Sequence, residues 1–356
     1  MAKSSKLITF YVLFLVFTIW IVISCMKVLI PVTGSGTHLR PLTYTQPTAL
    51  IRVAGKPILS HLIDSLTANG FTEFILVVGY LGEKIRDYVR ETYPTLRVEF
   101  IEQDAREGIG HAVWLAHKFY KNETELYLVI GDSIFDTDLK VFINSTTNCV
   151  GVREVKDPRV FGIVELDANG VIKKVEDKPR IPHSNIALVG LYKFVDVSLL
   201  FDALQKLIKE NRRAHNEIHL TDAIQNMVEN GVSISAITIN NWYDCSRTDI
   251  LLKTNALMLA QKGMYAVDLP PFDNTIFVHP ISIGENCIIN DSIIGPYVSI
   301  GNNAVINSSI VKNSIVGDYS ALTDVVITQS VIGSDASVKG ANRVLNIGDN
   351  TQIEFT

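Results

Sequence analysis

From about Phe277 onward a small aliphatic side chain recurs every five or six residues: Ile283, Ile289, Ile294, Ile300, Ile306, Val311, Val316, Leu322, Ile327, Ile332 and Val338. Glycine follows at 284, 295, 301, 317 and 333, so the unit reads I-G-x-x-A/V-x. This period suits neither an amphipathic helix nor a simple two-sided strand. It suits a parallel β-helix, in which each triangular coil turns one aliphatic inward per side and stacks it on the coil below. A β-sandwich would need longer alternating strands and hairpin turns. Residues 266–356 are therefore expected to form a hexapeptide-repeat β-helix domain.

Upstream, from Met26, short apolar runs alternate with amphipathic stretches: Val28-Val32, the helical pattern Ile58-Asn69, Glu73-Val78, Gly82-Thr92, Arg97-Ile101, Gly110-Phe119 and Leu126-Ile130. Such alternation predicts βαβ units and a mostly parallel, Rossmann-like α/β sheet covered on both faces. Ligands of such sheets bind beyond the carboxyl ends of the strands. Ser246 to Gly263 reads as a helix linking the two parts.

The first strand, Val28-Leu29-Ile30-Pro31-Val32, runs directly into Thr33-Gly34-Ser35-Gly36-Thr37-His38-Leu39-Arg40-Pro41. Glycines at 34 and 36 let the backbone come close to an anion, and its N–H groups can face phosphate oxygens. Leu39 stands where a dinucleotide fingerprint has its third glycine, and no Gly-Lys-Ser/Thr follows as in a P-loop. The loop alone is equally compatible with an ordinary turn.

The whole segment Gly34–Pro57, GSGTHLRPLTYTQPTALIRVAGKP, resembles the signature of the sugar-1-phosphate nucleotidylyltransferases, G-x-G-T-R-L-x-P-x-T followed by P-K-x-L-x-x-V and K-P. The spacing agrees throughout. His38 replaces the family arginine and Thr48 the family lysine, both of which contact triphosphate or departing pyrophosphate. The resemblance implies a nucleotidyltransferase domain over residues 26–265 and a left-handed hand for the β-helix. It assigns Gly34, Ser35, Gly36 and Thr37 to the nucleotide, with His38 and Arg40 beside the phosphates. Arg40 or Arg52 is expected to compensate in part for the two replacements.

The same resemblance assigns Asp132, in Gly131-Asp132, and Asp244, in Trp242-Tyr243-Asp244, to Mg2+. Ser246 and Arg247 stand where Gly and Thr are usual in the second motif. Magnesium needs only one or two carboxylates besides phosphate oxygens and water. Glu176-Asp177-Lys178-Pro179 is similar to E-E-K-P, which implies that Lys178 contacts both reacting phosphates and Asp177 the sugar hydroxyls. Gly162, Asn185 and Gly190 occupy further sugar-contact positions. Thr221 and Asp222 suit the first turn of a helix. Gln103 and Gly108 match the Q-x-x-x-x-G loop of thymidylyl- and uridylyltransferases, where the amide pairs with the base; an amide both donates and accepts, as the edge of thymine or uracil requires. The implied reaction joins dTTP or UTP to a sugar 1-phosphate, glucose 1-phosphate by default, and releases pyrophosphate.

The chain has 356 residues, 19% charged, with a formal charge of -5. Without a basic excess, nucleic acid is excluded as an expected partner. Cys25, Cys149, Cys245 and Cys287 show neither C-x-x-C nor zinc spacing, as expected of a reducing, cytoplasmic setting. Leu7 to Met26 is uncharged and apolar, and at ~1.5 Å per residue a helix there would cross ~30 Å of hydrocarbon. Residues 1–25 are thus either a single-pass membrane anchor or a stretch upstream of a true start at Met26. A homo-oligomer is expected from an exposed β-helix face.

Two other functions compete. A regulatory, sugar-nucleotide-sensing paralogue would keep the fold and bind ligand with little turnover, consistent with His38 and Thr48. Acyl transfer on the β-helix would need a catalytic histidine in a coil loop, and the tail has only His279, at its entrance.

Overall fold

A computed structural model describes residues 26–105, 107–213, 216–261 and 272–340. By internal contacts these fall into two compact units, one comprising residues up to Ser35 together with Leu59–Trp242, the other Gly36–Ile58 together with the chain from Tyr243 onward.

The first unit is built on a nine-stranded mixed sheet. Its strands are β1 (Met26–Val32), β2 (Phe71–Val78), β3 (Arg97–Glu102), β4 (Leu126–Val129), β5 (Cys149–Glu154), β6 (Gly162–Leu166), β7 (Ile172–Asp177), β8 (Ile186–Phe194) and β9 (Ser235–Thr238). They run in the order β7-β6-β8-β4-β1-β2-β3, with β5 pairing β8 and β9. The β4-β1-β2-β3 part is parallel and β8 is antiparallel to β4. Val28, Leu29 and Ile30 are fully buried, as expected for a central parallel strand covered on both faces.

Helices cover the sheet because their apolar residues recur at three- and four-residue intervals. Leu59, Leu62, Ile63 and Leu66 are buried on α1 (Ile58–Ala68), and Ile85 and Val89 on α2 (Gly82–Thr92). α3 (Ile109–Leu115) tightens into a 3-10 turn over Ala116–Tyr120, so the helix expected to reach Phe119 changes its winding four residues earlier. Helix α4 (Val197–Lys209) starts where the Asp196 carboxylate accepts from Ser198 N. It packs with α5 (Leu220–Glu229) on the sheet through Leu200, Leu204, Ala223, Ile224 and Met227.

In the second unit, three four-stranded parallel sheets form the sides of a left-handed β-helix. Corresponding positions stack: Ile276, Ile293, Ile310 and Val326 on one side, Ile288, Val305, Ala321 and Ser337 on another. Every aliphatic of the repeat, from Ile283 to Val338, belongs to its core or packs against it. The coils use left-handed backbone at Asn286, Asp291, Asn303, Asn313, Asp324 and Asp335, residue types that tolerate it, and also at Tyr297, Ser308, Tyr319 and Gln329. Buried serines stitch adjacent coils: Ser292 Oγ accepts from Ser309 N, and Ser309 Oγ from Val325 N.

Residues 36–58 belong to this second unit. A short hairpin, Arg52–Val53 with Lys56–Pro57, brings Ala54 N to Asn255 Oδ1 at 2.8 Å, and Ser299 Oγ donates to the same oxygen at 2.7 Å. Asn255 is fully buried on α6 (Thr248–Gln261), the helix read as Ser246–Gly263. Arg52 pairs with Asp318 at 3.2 Å and donates to Gly55 O. No helix among the described residues is long and apolar enough to cross a membrane. Residues 1–25 lie outside the described residues.

Candidate active site

In the first unit the assigned residues lie around the carboxyl ends of β1, β3 and β4. Gly34 and Ser35 follow β1, and no atom would come within 4 Å of a Cβ on Gly34. Gly131 follows β4; its N–H donates to Pro31 O, and a Cβ there would lie 2.3 Å from Val32 Cγ1. Glycine thus lets the β4 turn press against β1 and sets half-buried Asp132 there. Ser133 Oγ donates to Asp132 Oδ1 at 3.3 Å.

Gln103, just past β3, is buried, and its Nε2 contacts Gly108 O at 3.0 Å and His111 Nδ1 at 3.1 Å. With His111 carrying its proton on Nε2, both amide hydrogens are engaged and the carbonyl oxygen keeps its capacity to accept. Gly108 has φ +90, and a Cβ there would lie 2.7 Å from Ile218 O. Sequence reasoning missed His111, whose only signal was its place eight residues after Gln103.

β8 extends past the end of β4, since Leu191 faces Val129 while Ile186 to Leu188 pair with β5. Beyond that edge Asp177 pairs with Gly162 across β7 and β6. A Cβ on Gly162 would meet Thr221 Cγ2 at 2.8 Å, so this glycine admits α5. Lys178 is exposed, adopts φ 42, and is pinned through its N–H to Phe161 O at 3.0 Å. Asn185 is exposed and donates to Glu154 Oε1 at 2.6 Å. Gly190, φ +86, sits at the register shift of β8 against Ile130, to whose N–H its carbonyl bonds.

Three groups around Asp177 were not read as site residues. His219 Nδ1 lies 3.5 Å from Asp177 Oδ2. Thr221 Oγ1 is buried and has no hydrogen-bond partner among the described residues. Burial pushes the Tyr192 phenol up, and the charges of Asp177 and Asp132 push it further, so one buried hydroxyl senses both acids. Burial also raises Asp222, countered by His219 and Arg212 and reinforced by Asp177. The available signal is Thr221 and Asp222 as the first turn of a helix, which α5 supplies.

In the second unit, Gly36 takes φ 59 at the head of a 3-10 turn over Thr37–Leu39. Thr43 Oγ1 donates to Gly36 O at 2.6 Å, and a Cβ on Gly36 would lie 2.2 Å from Thr48 Oγ1. Thr37 and His38 are exposed, whereas Thr48 is buried with its hydroxyl unpartnered among the described residues. Arg40 stacks over Tyr44 with its side chain outside, while Arg52 is committed to Asp318. Asp244 Oδ1 accepts from Ser246 N at 2.9 Å, an aspartate turn. No group of three or more His, Cys, Asp or Glu is gathered for a metal among the described residues, and a magnesium site of two carboxylates needs none.

Comparison with known proteins bears on the family of the chain. A sequence model described as nucleotidyl transferase matches residues 27–261. A glucose-1-phosphate thymidylyltransferase of Streptomyces antibioticus is 31% identical over 92% of this chain and 93% of its own. A low-salt glycan biosynthesis nucleotidyltransferase, Agl11, of Haloferax volcanii is 28% identical over 90% and 98%. In fold, a UDP-glucose pyrophosphorylase solved with UDP-glucose superposes with a TM-score of 0.58 at 20% identity, over 66% of this chain and 98% of the other. The glycine loop, the strand-end aspartate and the matched span lead to one conclusion: the chain belongs to the nucleotidyl transferase family.

Proposed function

We propose that the protein transfers the nucleotidyl group of dTTP or UTP to a sugar 1-phosphate, with glucose 1-phosphate as the first candidate, giving a nucleotide sugar and pyrophosphate. The observation that carries this reading is the grouping, around one sheet edge of the first unit, of an open glycine loop, Asp132, the Gln103 amide and the Asp177-Lys178 strand end.

Transfer to phosphate oxygen requires positioning and charge neutralisation more than covalent work. The N–H groups of Gly34 to Thr37 would hold the triphosphate. Gln103, its amide hydrogens held by Gly108 and His111, would offer a carbonyl oxygen to the N3–H of thymine or uracil. Asp177 would accept from sugar hydroxyls while Lys178 neutralises the sugar phosphate and the α-phosphate as they approach. Arg40, exposed beside His38, is a cation of the loop segment suited to the departing pyrophosphate. The oxygen donors of Asp132 suit Mg2+, as in the second unit do those of Asp244, and bound Mg2+ would neutralise phosphate charge. A homo-oligomer acting in the cytoplasm accompanies this reading.

The regulatory reading keeps one specific support, buried Thr48 in place of a family lysine. Pyrophosphate release, measured with Mg2+ over four nucleoside triphosphates and several sugar 1-phosphates, separates the two. Release with dTTP or UTP is expected. Silence from folded protein that binds nucleotide would establish the regulatory reading.

A further inference from the structure

The chain just before α5 touches two parts of the candidate site at once. Ile218 N donates to Glu107 O at 2.7 Å, and Gly110 N donates to Ile218 O at 2.8 Å. Arg213 Nη2 reaches Glu107 Oε2 at 2.5 Å. Side chains at 108 and 110 would both collide with the Ile218 carbonyl, 2.7 Å from either Cβ, so two glycines let this backbone lie against Glu107 to Gly110. The next residue, His219, ends the crossing with its ring at Asp177.

His219 is at the N-cap of α5 in extended backbone but makes no side-chain cap with its own helix. An N-cap residue normally uses its side chain on the orphan N–H groups of the first turn. Here the ring turns to Asp177 instead, and both side chains are mostly buried, 17% and 23% exposed. A pair so shielded from solvent holds geometry better than one at the surface.

We propose that His219 is a positioning residue for Asp177, holding the sugar-site acid at a place set by the nucleotide-base loop through the backbone of residues 217–219. This rests on the reading of Asp177 as the acceptor for sugar hydroxyls. It adds that the half-site for the sugar is registered against the half-site for the base by a three-residue strap. A ligand that carries base and sugar together uses this registration. A ligand that carries only the base does not.

The test is calorimetric titration of the full-length chain with dTDP and dTDP-glucose, repeated with UDP and UDP-glucose, on wild type, His219→Ala, His219→Leu, His219→Asn and Asp177→Asn. His219→Leu preserves bulk should the alanine variant fail to fold, and His219→Asn returns a nitrogen donor near the Nδ1 position. Loss of the pair is expected to weaken the nucleotide sugar about fivefold in the alanine and leucine variants. The nucleoside diphosphates should bind unchanged, and asparagine should restore most of the loss. Asp177→Asn should weaken the nucleotide sugar at least as much. If only Asp177→Asn has an effect, the positioning role is wrong while the sugar-acid reading stands. Should Asp177→Asn do nothing, or no nucleotide sugar bind the wild type, that reading falls and takes the proposal with it. Equal weakening of dTDP and dTDP-glucose by His219→Leu would make the strap purely structural and overturn the proposal.

Discussion

Asn255 Oδ1 accepts two hydrogen bonds at once, from the backbone of Ala54 and the hydroxyl of Ser299. One fully buried amide on α6 therefore joins a hairpin close to the start of the described chain to a coil of the β-helix. Replacement by leucine keeps the volume but strands a buried N–H and a buried hydroxyl. We expect Asn255→Leu to lower stability by about 2–4 kcal/mol, read from the shift in urea midpoint.

Gly36 gives a prediction about the loop. Its left-handed φ and the 2.2 Å approach of Thr48 Oγ1 leave no room for a methyl group. Gly36→Ala should weaken nucleotide affinity about tenfold or more. Calorimetric titration with dTTP checks it.

His38 and Thr48 replace the two family cations but occupy opposite environments. His38 is exposed, so His38→Arg should raise pyrophosphate release about tenfold without altering the melting temperature. Thr48 is buried, and a lysine there must bury charge or displace its neighbours. Thr48→Lys should lower the melting temperature, and the double variant should be faster than wild type only if the loop survives.

Asp222 sets a pH dependence of stability. Burial raises its folded-state pKa above the ordinary carboxylate value, so the folded chain holds the proton more tightly than the unfolded one. The group costs nothing when protonated in both states at low pH. Its cost grows as pH rises from the ordinary value through the raised one and is constant above. Asp222→Asn should therefore raise the melting temperature at pH 7 and leave it unchanged near pH 3.

Much of this architecture is legible in the sequence because it rests on local periodicity. The Ile283–Val338 repeat names its own inward positions, and β1 to β4 follow from apolar runs between helical stretches. The residues around Asp177 are less legible for a physical reason. His219 reaches it from the start of α5, the charge of Asp177 raises the buried Tyr192 phenol on β8, and only the sheet order brings those elements together. Nothing in the spacing of Arg52 reveals Asp318 as its partner, which only the packing of the hairpin shows. Gly162 and Gly190 were read as sugar contacts from the resemblance; their geometry also gives each a packing reason, against Thr221 and Ile130.

The grouping of residues 36–58 with the chain beyond Tyr243 has a consequence for biosynthesis. Residues 36–58 leave the ribosome early, yet Asn255, Ser282, Ser299 and Asp318, which pack around the hairpin of that segment, are made some two hundred or more residues later. At ~5–20 residues per second the growing chain spends on the order of ten seconds or more without them. The nascent chain thus completes the contacts that hold residues 36–58 only after Asp318 has been made, and a chain cut short before the β-helix lacks the partner of Arg52.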